Sequence, residues 1–348
     1  MNPASCDIII PVYNALEMTR NCLDSINDNT RFSFNMILVD NGSGRDTSVF
    51  LDEFKSANGA VAVIHNSENL GWVKAVNQGM KLSVSPYVCI LNNDTIVKTD
   101  DWITKLIAIG GSAADIGLIN PNFELERRAR LRGKPFTEVD FCRGYCVLIK
   151  RAVMEKIGFL DEAYGLGYYD DDDYSVRAIR AGFRCVRAND VFVEHLRDST
   201  FTAMFDEDTR MALHERNKML FYSKWGRRLR LVFFITKDID KKKVSELLIA
   251  LARRQHALYL WNRASPLRLE HTLIHERVFP KVFPPAFFYF LIYVNSRKRK
   301  TKRYDLVFTD NTKFDRLSTR RKYRIHCLDL DREIDRITEL VDSAAKDT

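Results

Sequence analysis

The chain has 348 residues, of which 46% are hydrophobic, 11% aromatic and 29% charged, and its formal net charge is +8. This composition excludes a disordered or fibrous chain and is typical of a globular protein with one or two domains. Because no run of 18 apolar residues is present, we expect no membrane-spanning helix, and the N-terminal residues do not resemble a secretory signal. The seven cysteines are odd in number and include no Cys-x-x-Cys pair, which predicts buried thiols in a reducing cytosol.

Strand and helix signals alternate over the first 100 residues. Short apolar runs predict strands at residues 6–12, 34–39, 60–65 and 87–91, and helical spacing predicts helices at 16–26, 47–54 and 71–82. The strands lack polar alternation, which is typical of parallel strands that are buried on both faces. With right-handed crossovers, the pattern predicts an α/β fold, a doubly wound sheet with helices on both faces.

Beyond residue 100 the predicted elements are shorter and less evenly spaced. We expect a helix and a strand within 101–120, a charge-rich loop at 123–139, a strand at 146–149, and helices at 151–157, 174–181 and 209–224. Two further short strands are expected at 185–187 and 192–195. Helical spacing recurs over 244–260, so the C-terminal region is expected to be mainly helical.

Polar residues follow each of the first four predicted strands. They are Tyr13 and Asn14, Asp40, His65 and Asn66, and Asn92, Asn93 and Asp94. Ligands of doubly wound sheets bind at the carboxyl ends of the strands, so these residues are expected to share one cleft. Asp40 can accept the imide N–H of a uracil or thymine base, or it can simply cap a turn. Asp94 is a natural ligand for a hard cation, although Asn and Asp are common in turns.

Four consecutive aspartates, Asp170 to Asp173, begin a predicted helix, where the helix dipole stabilises them. One interpretation is a general base whose pKa is raised by burial and by the neighbouring carboxylates, and the alternative is a solvated first turn. Helical spacing places Asp170 and Asp173 on one face and Asp171 elsewhere. His195 ends an apolar strand and, with Asp94, suits Mn²⁺ or a similar ion, although a lone histidine there is more often structural.

Together these motifs resemble family 2 glycosyltransferases of the GT-A fold, and they are most similar to the bacterial rhamnosyltransferase-like branch of surface polysaccharide synthesis. In chain order the motifs are IIIPVYN at 8–14, VDNGS at 39–43, NLGW at 69–72, NQG at 77–79, LNNDT at 91–95, Asp170-Asp171 and VEH at 193–195. HERN at 214–217 through KWG at 224–226 resembles the helix that closes the catalytic domain of that branch. The resemblance implies a catalytic domain at 1–226, with a Rossmann-like mixed sheet, and a separate region at 227–348.

The resemblance also implies the chemistry: transfer of a hexosyl or deoxyhexosyl group with inversion, from a UDP-, dTDP- or GDP-sugar, with a divalent metal, Mn²⁺ or Mg²⁺. The implied nucleotide-sugar residues are Pro11, Tyr13, Asn14, Asn69 and Gly71, with Asp40 at the base and Asn93 near the ribose. Asp94 and His195 are the implied metal ligands, and Asp171, preceded by Asp170, is the implied catalytic base.

Two positions depart from the family pattern. The usual Asp-x-Asp is here Asn92-Asn93-Asp94, which has one carboxylate fewer, so metal affinity is expected to be weaker. The usual Glu before the base is Asp170, whose side chain is one methylene shorter. Both departures leave Asp94, Asp171 and His195 in place.

The charge is unevenly distributed along the chain. Residues 211–348 carry 31 Lys and Arg against 16 Asp and Glu, whereas residues 1–210 carry 23 against 30. One hypothesis for the aromatic run at 283–294 and the basic cluster at 297–303 is contact with an anionic membrane, and a helical cap or an oligomer contact carries slightly more weight. We expect a cytoplasmic protein, with peripheral contact at the inner face of the membrane if the first hypothesis holds.

The expected partners are the nucleotide-sugar donor and a glycan, lipid-linked or protein acceptor, which the loop at 124–138 is expected to contact. The rival hypothesis is a catalytically silent scaffold that binds nucleotides or nucleic acid, since basic patches bind either kind of phosphate. No nucleic-acid-binding motif is recognisable, so nucleic acid is not the expected partner.

Overall fold

The structure is a computed structural model. It describes residues 6–122, 134–196, 205–237, 239–262, 275–282, 304–312, 325–330 and 332–346, together with residues 287, 290 and 294. The chain divides into two compact units, the first formed by residues 1–137 and 141–221 and the second by residues 138–140 and 222–348. Each unit has its own sheet.

Within the described residues, the first sheet has nine strands. They are β1 (Cys6–Val12), β2 (Phe34–Asp40), β3 (Val61–His65), β4 (Tyr87–Leu91), β5 (Thr95–Val97), β6 (Ile116–Asn122), β7 (Phe136–Val139), β8 (Cys146–Lys150) and β9 (Arg184–His195). Their order is β3-β2-β1-β4-β8-β6-β9-β5, and β7 pairs with β9 off this path. β1 is parallel to β2 and β4, whereas β8 is antiparallel to β4 and β6, which gives the mixed sheet that the family resemblance implies.

The helices that follow these strands are α1 (Leu16–Asn29), α2 (Arg45–Ala57), α3 (Trp72–Leu82), α4 (Trp102–Gly111), α5 (Arg151–Ile157), α6 (Asp170–Arg180) and α7 (Glu207–Trp225). In α3 the buried residues Val73, Val76 and Met80 are spaced three and four apart and form one apolar face. A Cβ at Gly79 would overlap with Ile9 of β1, so this helix lies directly on the strand. The helices predicted at 16–26, 47–54 and 71–82 are thus confirmed.

Three predictions for the first unit need correction. The two short strands predicted at 185–187 and 192–195 are parts of one strand, β9. The chain does not turn between them but continues as a strand through Asn189. Its backbone N–H donates to Pro135 O at 3.0 Å, its side chain accepts from Thr137, and a register shift against β6 accommodates it. Helix α6 begins at Asp170 rather than at residue 174, and the loop predicted at 123–139 ends in strand β7.

The second unit contains a parallel sheet. Its described strands are β10 (Arg230–Ile235), β11 (Ala257–Asn262), β12 (Val278–Val282), β13 (Leu306–Thr309) and β14 (Ile325–Cys327), in the order β12-β11-β10-β13-β14. Its described helices are α8 (Lys241–Arg253) and α9 (Ile334–Lys346). The helix predicted over 244–260 is confirmed only to residue 253, and the sheet was not predicted. A short buried strand is a continuous apolar run in the sequence. The spacing of apolar residues alone cannot distinguish such a run from a segment of buried helix.

Residues 138–140 belong to the second unit through two ion pairs. Glu138 pairs with Arg253, and Asp140 Oδ2 accepts a hydrogen bond of 2.8 Å from Arg277 Nε. Asp140 is fully buried, and burial raises its pKa to about 6 although the nearby guanidinium opposes that change. Removal of either arginine would therefore leave a buried carboxyl group without its charged partner.

Among the described residues, no helix has the length and apolar character needed to cross a membrane. The aromatic run predicted to contact a membrane is described only at residues 287, 290 and 294, and Phe287 and Phe290 are exposed. The basic cluster at 297–303 and most of the predicted acceptor loop, residues 123–133, lie outside the described residues.

Candidate active site

Asp40 lies at the carboxyl end of β2 and is buried. Its Oδ1 accepts the backbone N–H of Ser43 at 2.9 Å, and its Oδ2 lies 2.8 Å from His65 Nδ1. Burial raises the pKa of Asp40, but the hydrogen bonds from Ser43 and His65 outweigh it and lower that pKa. Asp40 is therefore an ionised acceptor at neutral pH, as a contact with a base N–H requires.

His65 joins two carboxylates. Its Nε2 lies 3.2 Å from Asp52 Oδ1, on the side opposite Asp40. Burial alone lowers the pKa of His65, yet the hydrogen bonds to Asp40 and Asp52 outweigh it and raise that pKa. Sequence reasoning noted His65 only as a polar strand end, and the 25-residue separation from Asp40 gave no signal of the pair.

Three predicted nucleotide-sugar residues, Pro11, Tyr13 and Asn14, lie at or just beyond the end of β1, and their surroundings differ. Pro11 is buried within the strand, opposite Val39 of β2, and Tyr13 is half-buried. Asn14 has a left-handed backbone, with φ of 55°, and its Oδ1 accepts the N–H of Gly44 at 2.8 Å. The Asn14 side chain therefore shapes the turn after β2 as well as the edge of the cleft.

A network of side-chain amides fixes the loop before α3. Asn69 Oδ1 accepts from Asn41 Nδ2 at 2.8 Å and from the N–H of Gly71 at 2.9 Å. Asn66 Nδ2 donates to Asn41 Oδ1 and to Gln78 Oε1. Gly71 has φ of +88°, and a Cβ there would stand 3.2 Å from Gly165 O, so only glycine fits without strain. Asn69 and Gly71 thus hold the loop in place.

Asp94 and His195 are brought together by strand pairing, because Thr95 of β5 lies opposite His195 of β9. Asp94 Oδ1 and Asn92 Nδ2 each lie 3.2 Å from His195 Nε2. Tyr145 stacks on the imidazole, with ring centroids 4.9 Å apart and planes 15° apart. Asn93 is turned inward, where its Nδ2 donates to Thr19 Oγ1 at 3.0 Å.

This group fits a divalent cation as a partial ligand set. Asn92 Oδ1 is buried and has no hydrogen-bond partner in the part of the chain that the structure describes. A carboxylate, an imidazole and an amide oxygen are the donor types that Mn²⁺ and Mg²⁺ accept. No cluster of three His, Cys, Asp or Glu side chains suited to a metal occurs among the described residues, so a cation held here would need further ligands beyond these side chains.

Asp170, which is buried, and Asp171, which is half-buried, form a carboxyl pair at the start of α6. Asp171 Oδ2 accepts the N–H of Gly144 at 3.0 Å, and Asp170 Oδ2 accepts the indole N–H of Trp72 at 3.2 Å. Burial, with the Asp171 charge, raises the pKa of Asp170 to about 8. Burial also raises the pKa of Asp171, but backbone hydrogen bonds from Gly144 and Asp172 oppose it. At neutral pH Asp170 is therefore protonated, and the hydrogen bonds from Gly144 and Asp172 favour the ionised form of Asp171.

Asp173 has partners of its own, although the helical spacing placed it on one face with Asp170 and set Asp171 apart. Asp173 Oδ2 lies 2.9 Å from Arg177 Nε, and its Oδ1 accepts from Tyr164 at 3.3 Å. Asp173 is therefore part of a separate ion pair within the helix.

The protonation of Asp170 predicts a pH-dependent stability. Its native pKa of about 8 exceeds the ordinary value of 3.8 for an aspartate, so the native state binds more protons than the unfolded state between these two pH values. Stability should then fall as pH rises through that window, by roughly 1.4 kcal/mol per pH unit. We expect urea midpoints of Asp170→Asn to decline less between pH 5 and pH 8 than those of the wild type. Parallel declines in both proteins would contradict this assignment.

Two tyrosines immediately before the pair have strained backbones. Tyr168 and Tyr169 have φ of 67° and 66°, a left-handed conformation that costs about 1–3 kcal/mol per residue. The buried Asn217 Nδ2 of α7 donates to the carbonyls of Tyr164 at 2.8 Å and Gly167 at 2.6 Å and lies 3.3 Å from that of Tyr168. The sequence analysis used Asn217 only as part of a motif and missed both tyrosines.

Loss of the Asn217 amide should therefore disturb this turn. We expect Asn217→Ala to lower the free energy of unfolding by about 1–3 kcal/mol, because buried carbonyls lose their donor. We also expect a lower kcat with little change in KM for the donor, because the turn positions the aspartate pair. The matched control is Met219→Ala, an exposed position on the same helix, for which both quantities should stay at wild-type values.

Comparisons with known proteins match two segments of the chain to glycosyltransferase families. Residues 7–158 match the model of the family described as Glycosyl transferase family 2, and residues 120–213 match that of Glycosyltransferase like family 2. The glycosyltransferase GlyG of Streptococcus pneumoniae is 30% identical over 113 residues, which are 32% of this chain and 38% of GlyG. The PGL/p-HBAD biosynthesis glycosyltransferase of Mycobacterium bovis is 27% identical over 178 residues, which are 49% of this chain and 68% of that protein.

Among solved structures, the mannosyltransferase PcManGT from Pyrobaculum calidifontis superposes with a TM-score of 0.51 at 16% identity. The superposition covers 63% of this chain and 65% of the mannosyltransferase, and it establishes the shared GT-A fold. The two family matches together cover residues 7–213, which contain both the aspartate pair and the Asp94–His195 group. The chain belongs to family 2 of the glycosyltransferases.

Proposed function

We propose that the chain is an inverting, metal-dependent glycosyltransferase, which moves a hexosyl or deoxyhexosyl group from a nucleoside-diphosphate sugar to an acceptor hydroxyl. One observation carries this proposal. Asp171 accepts a hydrogen bond from Gly144, and Tyr145, the next residue, stacks on His195. Consecutive Cα atoms are about 3.8 Å apart, so this dipeptide brings the Asp171 carboxyl group and the Asp94–His195 group, the proposed cation site, to one place.

Asp171 is the proposed general base. An acceptor hydroxyl is a weak nucleophile near pH 7, so its proton must leave as its oxygen bonds to the anomeric carbon. Asp171 takes that proton while the bond from the anomeric carbon to the diphosphate breaks. A single displacement inverts the carbon and requires no protein nucleophile. The protonated Asp170 stays neutral beside Trp72 and keeps a second negative charge away from the base.

Asp94, His195 and Asn92 are the proposed holders of the divalent cation, Mn²⁺ or Mg²⁺. When bound, such a cation neutralises negative charge on the diphosphate leaving group. Asp40, ionised at the carboxyl end of β2, is the proposed contact for the base of a UDP-, dTDP- or GDP-sugar. Pro11, Tyr13 and Asn14 border this pocket, and Asn93 completes its proposed ribose side.

The context of the reaction is also a proposal. We assign residues 1–226 to the catalytic domain and residues 227–348 to contacts with the acceptor, an anionic membrane or another copy of the chain. The proposed setting is the cytoplasm, with synthesis of a surface polysaccharide as the role that a rhamnosyltransferase-like branch implies. The acceptor is a glycan that is free, lipid-linked or attached to protein.

The first test is a thermal-shift assay of the full chain with UDP, dTDP, GDP and CMP, each with and without Mn²⁺. GDP and Mn²⁺ belong in the panel because PcManGT was solved with GDP-Man and Mn²⁺. A ligand that binds only the native state raises its melting temperature. We expect one nucleoside diphosphate to do so only when Mn²⁺ is present. Failure of every nucleotide would favour the alternative, a catalytically silent scaffold.

A further inference from the structure

A surface cavity lies beside the strained turn that precedes the aspartate pair. It has a volume of about 260 Å³, and its walls are formed by Tyr168 of the turn and by Glu207, Arg210, Met211, His214 and Glu215 of α7. Pockets for drug-sized ligands hold roughly 300–1,000 Å³. The size of this cavity therefore suits a single ring rather than an extended molecule.

One side of the cavity is aromatic and apolar. The rings of Tyr168 and His214 meet edge to face, with centroids 5.5 Å apart, and Tyr169 lies 5.3 Å from the same imidazole. Tyr169 in turn lies 5.4 Å from the buried Phe221, which anchors the aromatic group in the unit. Met211 adds an exposed thioether. Aromatic and thioether surfaces suit the C–H face of a pyranose ring.

The other side of the cavity is polar and of mixed charge. Glu207 and Glu215 supply carboxylates, and Arg210 supplies a guanidinium group. Planar carboxylate and guanidinium groups can engage two neighbouring hydroxyls at once. Lys218 Nζ lies 3.0 Å from Glu215 Oε2, so Lys218 and Arg210 balance the two carboxylates, and a lining whose charges cancel favours a neutral polyhydroxyl ligand over a nucleotide or an anionic lipid.

The cavity is also close to the proposed base. Tyr168 and Asp171 are three peptide bonds apart, so their Cα atoms are separated by at most about 11 Å. The turn between them is held by Asn217 of the same helix that forms the other wall. A molecule in this cavity would thus keep a fixed position relative to Asp171.

We propose that this cavity, formed by Tyr168 and α7, binds a neutral sugar ring of the acceptor and directs the acceptor toward Asp171. That the bound sugar belongs to the acceptor rests on the proposed function. That the cavity binds a neutral pyranose rests on the cavity alone. The proposal names a glycan as the recognised part of the acceptor, whether that glycan is free or attached to a lipid or protein.

The test is saturation-transfer-difference NMR of the full chain with methyl glycosides of mannose, galactose, N-acetylglucosamine and rhamnose. We expect at least one glycoside to give a signal, with binding weakened about tenfold in Tyr168→Ala through loss of the aromatic face and retained in Tyr168→Phe. Met211→Lys should weaken binding as well. Met219→Ala is the matched control, because Met219 is an exposed methionine of the same helix that does not line the cavity.

The same samples are assayed for the thermal shift with nucleoside diphosphate and Mn²⁺, which separates the two proposals. A wild-type protein that binds nucleotide but gives no glycoside signal overturns the cavity proposal and leaves the proposed function standing. Glycoside binding that survives both Tyr168→Ala and Met211→Lys also overturns it. Glycoside binding that depends on these residues, without any nucleotide shift, supports a sugar site and counts against the proposed transferase.

Discussion

Replacement of Asp171 by Asn is expected to lower sugar transfer by about 10²–10⁴-fold, because the amide keeps the size of the side chain but cannot accept the hydroxyl proton. Asp171 accepts hydrogen bonds from the backbone of Gly144 and Asp172, neither of which belongs to the Asp40 pocket, so nucleotide binding should be retained. The measurement is the release of nucleoside diphosphate in the presence of acceptor, together with the thermal shift. An Asp171→Asn protein with wild-type turnover would rule out this base.

Asp170→Asn is the matched control, since it changes the same functional group in the adjacent residue. Asn resembles the protonated carboxyl group that burial favours at this position, so turnover at pH 7 should stay within about tenfold of wild type. Above pH 8 the wild-type rate should change as Asp170 loses its proton, and the rate of Asp170→Asn should not. If the Asp170 variant loses as much activity as the Asp171 variant, the pair must act through a shared proton instead.

The second large effect is expected at the cation site. Asp94→Ala and His195→Ala should each weaken Mn²⁺-dependent nucleotide binding at least tenfold, because each removes one of two strong protein ligands. Titration of the thermal shift against Mn²⁺ measures this loss. Tyr145→Phe is the control, since it keeps the ring that stacks on His195 and removes a hydroxyl with no hydrogen-bond partner in the described chain. Unchanged Mn²⁺ dependence in both alanine variants would refute the ligand pair.

The first half of the fold could be predicted because its local signals are strong. The strands at β1 to β4 are unbroken apolar runs that end at turn residues, and the helices between them have clear apolar faces. The signals failed where tertiary contacts decide the conformation. Asn189 has the sequence of a turn, but hydrogen bonds to residues 135 and 137 keep it within β9.

The proposed chemical residues of the site could be chosen from the sequence, whereas the residues that support them could not. Asp40, Asp94, Asp171 and His195 each follow an apolar run or begin a helix, and the motif order identified them. His65 is bonded to Asp40, 25 residues earlier in the chain, and Asn217 to Gly167, 50 residues earlier. Tyr145 acts by stacking on His195. Such contacts leave no periodic pattern in one sequence, so only the folded chain reveals them.

Residues 138–140 are synthesised well before the rest of the second unit, to which they belong. A ribosome adds about 5–20 residues per second, so the last helix of the second unit, α9, emerges roughly 10–40 s after this segment. Until β11 and β12 and their neighbours exist, Glu138 and Asp140 have neither Arg253 nor Arg277 to neutralise them. The second unit thus closes late around residues made early. A fragment that starts at residue 227 lacks them altogether.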